Sequence, residues 1–379
     1  MTSPAVPPAS SADGRAPALP DDVSRLVREA AARLARAGID TPRVDAELLL
    51  AHAAGVPRER VVSAAVLGRP VSSLLLGTAG ERPTAPSPAG SAGPAGSTGP
   101  AGTTGPVAHR GAGPSTVRTS SAVLDELARL LDARARRVPL QHLTGTAPFR
   151  HLDLVVGPGV FVPRPETEQV AQVAIDEAFA AVARGSQAPV VVDLCTGSGA
   201  IALALATEVP GARVHAVELD RDAHAWAERN VTRAHEASGA VVHLVRGDAR
   251  TALVELDGTC DVVVSNPPYV PPDAVPRDPE VALHDPQVAL YGLGEDGLEV
   301  PRGVTRAAAR LLAPGGLYVM EHAEVQAEAA RDMVAAVGGF EDVRTASDLT
   351  GRPRMVVARR SRTTSERDPA PADPSDMED

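Results

Sequence analysis

The chain has 379 residues, a formal net charge of −11 and only 2% aromatic residues. That length allows two domains with flanking segments, while the acidic balance and scarcity of rings argue against a basic, aromatic surface that grips nucleic acid. Two cysteines, Cys195 and Cys260, form no disulfide framework and point to a reducing cytoplasm. No apolar run approaches the roughly 18 residues of a membrane span, and the first residues lack the pattern of a secretory signal.

Residues 1–20 are rich in Pro, Ala and Ser and are expected to be disordered, as is the polar end, 361–379. Residues 21–137 read as a helical N-terminal domain. In DDVSRLVREAAARLARAGI, Val23, Leu26, Val27, Ala30, Leu34 and Ala37 share one face, and Gly38 can stop the helix. Thr41-Pro42 predicts an N-cap with proline at the first helical position, and that helix ends at Gly55. A third short helix follows in PRERVVSAAVLG. The stretch 77–120 interrupts this domain with Gly, Pro and Ser. From Gly90 to Gly105 glycine recurs at every third position, a collagen period too short for a free-standing triple helix, and the segment reads as a flexible linker. After it, Leu124, Leu127, Leu130 and Leu131 line one face of a further helix.

Residues 138–165 show short alternating strands and read as a β-hairpin connector. From 166 to 360 strands alternate with helices. PVVVDLC, ARVHAVELD, AVVHLVRGDA, CDVVVSN and LYVMEH read as strands. AIALALATEV, DAHAWAERNVTRAHEAS, VTRAAARLLAPGG and EVQAEAARDMVAAVGG read as helices, and EDVRTASDLTGRPRMVVARR as two paired strands. Such alternation predicts an α/β fold, a parallel sheet covered by helices on both faces, with ligands bound beyond the carboxyl ends of the strands.

Three strand ends carry candidate cofactor residues. DLCTGSGAIALA places Cys195, Thr196, Gly197, Ser198 and Gly199 in a turn between strand and helix, where glycines let backbone approach a ligand. Asp193, at the strand end, can accept from loop amides or a ligand ammonium. Glu218, 19 residues after Gly199, can accept from ribose hydroxyls. Asp248 can accept from an adenine amino group, with Ala249 against the ring. Cys195 reads as a small packed side chain. The loop alone serves a nicotinamide cofactor or S-adenosylmethionine equally.

The fourth strand runs into Asn266-Pro267-Pro268-Tyr269. Two prolines end a strand and leave few backbone donors. A planar amide or aromatic amine is a poor nucleophile, and its methylation requires both N–H bonds to be held by acceptors. The Asn266 side-chain oxygen can take one and the Pro267 carbonyl the other, while Tyr269 can stack on the flat group. No general base is needed, because the cationic product sheds its proton readily.

Together, PLQHLTGTAPFRHLDLVVGPGVFVPRPETE, DLCTGSGAIALALA, VELD, SNPPY and DLTGRPR resemble the bacterial release factor N5-glutamine methyltransferases. NPPY by itself does not separate them from adenine-N6 or cytosine-N4 nucleic-acid methyltransferases, the alternative reading. The resemblance implies a Rossmann-like, seven-stranded methyltransferase sheet, mostly parallel with a C-terminal antiparallel hairpin, plus a small helical domain that docks the substrate. It implies S-adenosylmethionine as cofactor, S-adenosylhomocysteine as product, and no metal. The implied substrate is the glutamine of the Gly-Gly-Gln motif in class I peptide chain release factors, with no direct nucleic acid and no membrane partner. Thr196, Gly197, Ser198, Gly199, Glu218, Ala249 and Asn266 would then contact the cofactor and Asn266 to Tyr269 the glutamine. Phe161, Arg164 and Glu166 resemble family residues near the pocket, and also suit a turn and helix cap. Three positions depart from the family pattern. Cys195 replaces a usual glycine and suits the loop if its φ is negative, Glu218 replaces a shorter aspartate, and Ala249 replaces a larger aromatic.

Overall fold

The computed structural model describes residues 19–76 and 118–362. The segments expected to be disordered, 1–20, 77–120 and 361–379, lie outside those residues except at their edges, where Ser120 already opens a helix. The chain divides into two compact units, Met1–Leu140 and Gln141–Asp379.

The first unit is helical: α1 (Val23–Arg36), α2 (Pro42–Ala54), α3 (Arg58–Val66), the single turn α4 (Ser72–Leu75) and α5 (Ser120–Ala135). Asp22 caps α1 by accepting from the Arg25 amide at 2.7 Å. The α1 stripe of Val23, Leu26, Val27, Ala30 and Leu34 is buried, whereas Ala37 is the half-buried C-cap. On α5 the buried face is Val123, Leu127, Leu130 and Leu131; Leu124, one position round, is half-buried. Two carboxylates of α2 are also inside. Asp45 accepts from Arg134 Nε of α5 at 2.7 Å, and Glu47 from Arg58 at 2.7 Å. These pairs fix α5 and α3 on α2, since an unpaired buried charge is costly.

The short helix α6 (Leu140–Thr144) spans the division, and a hairpin, β1 (Thr146–Phe149) with β2 (Leu152–Val155), follows it. Then come α7 (Thr167–Ala183), β3 (Val190–Leu194), α8 (Ala200–Glu208), β4 (Arg213–Glu218), α9 (Arg221–Ser238), β5 (Val242–Arg246) and β6 (Cys260–Ser265). Two short helices, α10 (Pro279–His284) and α11 (Gln287–Leu290), precede α12 (Glu299–Leu311) and β7 (Leu312–Glu321). The chain closes with α13 (Ala327–Val337), β8 (Phe340–Ser347) and β9 (Pro353–Arg360).

The seven strands β3 to β9 form one sheet in the order β5-β4-β3-β6-β7-β9-β8, parallel through β7 and antiparallel at β7–β9 and β9–β8. Every residue of β3 is buried, as a strand covered on both faces requires. On one face Val191, Val262 and Val264 pack with Val170, Ile175, Ile201 and Leu205 of α7 and α8. On the other, Val192, Leu194 and Val263 pack with Val304, Leu311 and Val334 of α12 and α13. Strand order reverses at β3, which pairs with β4 on one side and β6 on the other, so a crevice opens beyond their carboxyl ends.

The structure differs from the sequence reading at several elements, the short helices α6, α10 and α11 among them. The helix expected to run to Gly316 ends at Leu311, and Ala313 to Gly316 belong to β7. The register there jumps from Cys260↔Leu312 to Val262↔Leu317, so these residues form a bulge rather than a helix stop. Of α7 the sequence reading offers only the start, a cap at Glu166 after Pro165, and not the helix that follows. Val170, Ala171, Ala174, Ile175, Ala178 and Ala181 form its buried stripe, while Phe179 and Val182 lie exposed outside it.

Candidate active site

The turn after β3 is held from within. Asp193 is fully buried; its Oδ2 accepts from Thr196 Oγ1 at 2.6 Å and from the Ala202 amide at 3.1 Å, tying the loop to the first turn of α8. Burial pushes its carboxyl up to about 7. The Thr196 amide donates to the Val217 carbonyl, which fastens the loop to β4. From α9, Asn230 Nδ2 donates to the carbonyls of Ser198 and Val155, each at 3.0 Å, so one side chain joins the loop to the hairpin. Gly197 has φ +58°, and a Cβ there would meet nothing within 4 Å, so its backbone faces open space.

Cys195 corrects one expectation. Its φ is +63°, in the left-handed region, so the loop demands a conformation that glycine adopts freely. A side chain there costs about 1 kcal/mol. Burial, then the nearby Glu218, raises the thiol pKa, so the sulfur is protonated and unreactive.

The ends of β4 and β5 present the next two carboxylates. Glu218 is buried; its Oε2 accepts from the Gly197 amide and its Oε1 from the Asp220 amide, both at 2.8 Å. Burial raises its pKa against the pull of these amides. Asp248 instead pairs with Arg250 at 2.7 Å, and that hydrogen bond lowers its pKa. Ala249 is buried beside them.

The elbow after β6 is braced on every side. Ser265 Oγ donates to the Leu194 carbonyl at 2.6 Å, joining the ends of β6 and β3. Gln326 Nε2 donates to the Tyr269 carbonyl at 2.8 Å, and the Val270 amide to the Leu290 carbonyl at 2.8 Å. A Cβ on Gly292 would stand 2.7 Å from the Pro268 carbonyl oxygen, and one on Gly297 2.6 Å from that of Tyr269. Both glycines are therefore required for the 290s segment to lie against the elbow. Asn266 Nδ2 donates to Thr167 Oγ1 at 3.3 Å, and Tyr269 donates its hydroxyl to Glu321 Oε1 at 3.3 Å. Among the described residues no donor reaches Asn266 Oδ1 or the Pro267 carbonyl.

A cavity of about 820 Å³ opens at these strand ends. Cys195, Thr196, Gly197, Ser198, Glu218, Asp248, Ala249 and the whole stretch Asn266 to Tyr269 line it. Asp193 and Gly199 stand behind it: Asp193 is sealed under the loop, and Gly199 faces Leu203 and Ala227. Phe161, Arg164 and Glu166 line it too. Arg164 lies over the Phe161 ring at 5.0 Å and bonds the buried Asp285 at 2.8 Å, which holds the loop between α10 and α11 to the segment before α7. Glu166 is the N-cap of α7 but makes no side-chain capping bond. Sequence reading missed Thr167, Glu321 and Arg354, which also line the cavity. Glu321 carried a signal, a carboxylate closing the apolar run LYVME; Thr167 carried none.

Residues 177–278 match the methyltransferase small domain, and residues 25–73 the PrmC N-terminal domain. A release factor glutamine methyltransferase from Bifidobacterium longum is 40% identical over 341 residues, 89% of this chain and 99% of that protein. One from Streptomyces coelicolor is 52% identical over 60% of this chain and 78% of its own. A 4-amino-L-phenylalanine/4-methylamino-L-phenylalanine methyltransferase from Streptomyces pristinaespiralis is 45% identical over 54% of this chain and 68% of its own. With a relative matched over nearly its whole length, helical unit included, the chain belongs to the release factor glutamine methyltransferase family.

Proposed function

We propose that this protein methylates the side-chain amide nitrogen of the glutamine in the Gly-Gly-Gln motif of class I peptide chain release factors, using S-adenosylmethionine. The observation that carries the mechanism is the pair of acceptors at the elbow, Asn266 Oδ1 and the Pro267 carbonyl, neither of which is taken by a donor among the described residues. Two carbonyl oxygens suit a carboxamide that must present both N–H bonds and keep its nitrogen lone pair directed at an electrophile. Proline at 267 holds that peptide plane and brings no donor of its own. Tyr269 closes the slot for a flat group. The chemistry asked of the chain is positioning and electrostatics.

The donor set fits the cofactor. The buried Glu218 carboxylate, already turned to two amides, is an acceptor for ribose hydroxyls; Thr196, Gly197 and Ser198 offer backbone beside it, and Asp248 and Ala249 suit an adenine edge and face. The cavity lies within the range that houses a small-molecule ligand of that size. When bound, the cofactor supplies a methyl group made electrophilic by its sulfonium. Asp193 acts from beneath by holding the loop.

The helical residues 21–137 are assigned to docking the release factor, 138–165 to a β-hairpin connector and 166–360 to catalysis. Cys195 and Cys260 are free thiols, consistent with a cytoplasmic enzyme, and among the described residues no helix is long and apolar enough to cross a membrane. The relative that acts on 4-amino-L-phenylalanine favours one second reading, a small aromatic amine as acceptor.

Incubating the protein and cofactor with a purified release factor, and separately with 4-amino-L-phenylalanine and with DNA, distinguishes these. Mass spectrometry of the digested release factor is expected to show one added methyl group on the Gly-Gly-Gln peptide. Transfer only to the amino acid or to DNA rejects the proposal.

A further inference from the structure

Behind the elbow lies a chain of hydrogen bonds that a simple clamp does not need. Glu321, at the end of β7, is only 3% exposed. Its Oε2 accepts from Thr167 Oγ1 at 2.7 Å and its Oε1 from the Tyr269 hydroxyl at 3.3 Å. Thr167 Oγ1 in turn accepts from Asn266 Nδ2 at 3.3 Å. Each link has a defined polarity. An ionised carboxylate only accepts, so the threonine proton must point to Glu321. The threonine oxygen then offers only a lone pair to Asn266, which must turn its NH₂ toward it. The same rotation leaves Asn266 Oδ1 free for an acceptor role.

We infer that Glu321 and Thr167 are positioning residues that set the direction of the Asn266 carboxamide, so that its oxygen and not its NH₂ meets the substrate nitrogen. A carboxamide facing the other way would present a donor to N–H bonds and repel the group it should hold. Neither Glu321 nor Thr167 needs to touch the substrate for this. The inference rests on the amide-clamp reading proposed above.

The relay is sensitive to one proton. Burial pushes the Glu321 carboxyl up to about 7, with Glu166 raising it further while Thr167, Arg354 and Tyr269 lower it. Among the described residues no arginine bonds it directly; Arg354 is engaged by Asp348 at 3.2 Å. When Glu321 takes up a proton it gains an O–H of its own. If that O–H donates to Thr167, the threonine proton turns to Asn266, which must then offer its oxygen to Thr167. The productive orientation therefore belongs to the ionised form and is lost as pH falls through about 7.

The sequence makes this directly observable, because Asn230 and Asn266 are its two asparagines. Asn230 bonds through both its amide ends, with Val155 and Ser198, and serves as an internal reference. In protein labelled with ¹⁵N at asparagine side chains, the Asn266 NH₂ signals are expected to shift with a midpoint near pH 7 while those of Asn230 hold still. Glu321→Gln and Thr167→Val should each abolish that shift. This readout needs no methyl acceptor, so it stands even if the release factor proves not to be the substrate.

With the working acceptor, kcat of the parent should fall about tenfold from pH 8 to pH 6, and in Glu321→Gln the ratio of the two rates should approach one. Thr167→Val should lower kcat by about tenfold or more with little change in cofactor Kd, and Thr167→Ser should restore it. The inference is overturned if Asn266 shows no titration near neutrality, if Glu321→Gln keeps it, or if Thr167→Ser is as slow as Thr167→Val.

Discussion

The two sides of the crevice are built on opposite principles. On the cofactor side, Glu218 is bonded to the amides of Gly197 and Asp220, and Asp248 to Arg250. Those carboxylates are satisfied by close neighbours, and under the proposed function they share or exchange partners with the cofactor. On the elbow side, Asn266 Oδ1 and the Pro267 carbonyl are left open, and the order is supplied from behind by Thr167 and Glu321. A pocket for a flexible, hydroxyl-rich ligand can adapt to it. A slot that must aim one nitrogen lone pair has to be rigid beforehand, because misplacing the reacting atoms by even about 1 Å costs heavily in rate.

Substitutions on the two sides should therefore fail differently. The largest expected effect on the cofactor side is from Glu218→Ala, which removes the acceptor for two loop amides and for the ligand. We expect cofactor Kd to rise about 100-fold, near 2.7 kcal/mol, with kcat at saturation much less affected. Calorimetry and saturation kinetics check this, and an unchanged Kd would break the contrast. Next comes Arg164→Ala. It strips the partner from Asp285, whose carboxyl burial already pushes up to about 6. Arg164 itself is partly exposed, so a loss of about 2 kcal/mol is expected above pH 7, shrinking as Asp285 protonates below pH 6. Denaturant titrations at pH 5.5 and 8 measure the difference. The smallest effect is from Cys195→Gly, which relieves the left-handed φ at the cost of a freer unfolded chain. The two terms nearly cancel, and a stability change under about 1 kcal/mol with unaltered cofactor affinity is expected from thermal melts and calorimetry.

The same contrast explains how much was legible in the sequence. The proposed cofactor side is local: DLCTGSG, VELD and RGDA each place their residues at one strand end, and period and turn chemistry suffice to bring most of them to the cavity. The NPPY elbow is equally local. Its support is not. Thr167 stands 99 residues from Asn266 and 154 from Glu321, so their meeting depends on how α7 and β7 flank β6 in the folded sheet. The glycines of YGLGEDG look like an ordinary turn, and only the fold shows that Gly292 and Gly297 lie against the elbow carbonyls. Whether Cys195 suits its place turned on the sign of its φ, which no local pattern gives, because it is set by the backbone path into α8.

The clamp itself is tested most directly by measuring binding and turnover side by side in Asn266→Ala. Cofactor Kd should stay within about tenfold of the parent, or 1.4 kcal/mol, while kcat on the release factor falls by about 100-fold or more. Methylation at close to the parental rate would contradict the account, because the oxygen said to hold the substrate nitrogen would then be dispensable.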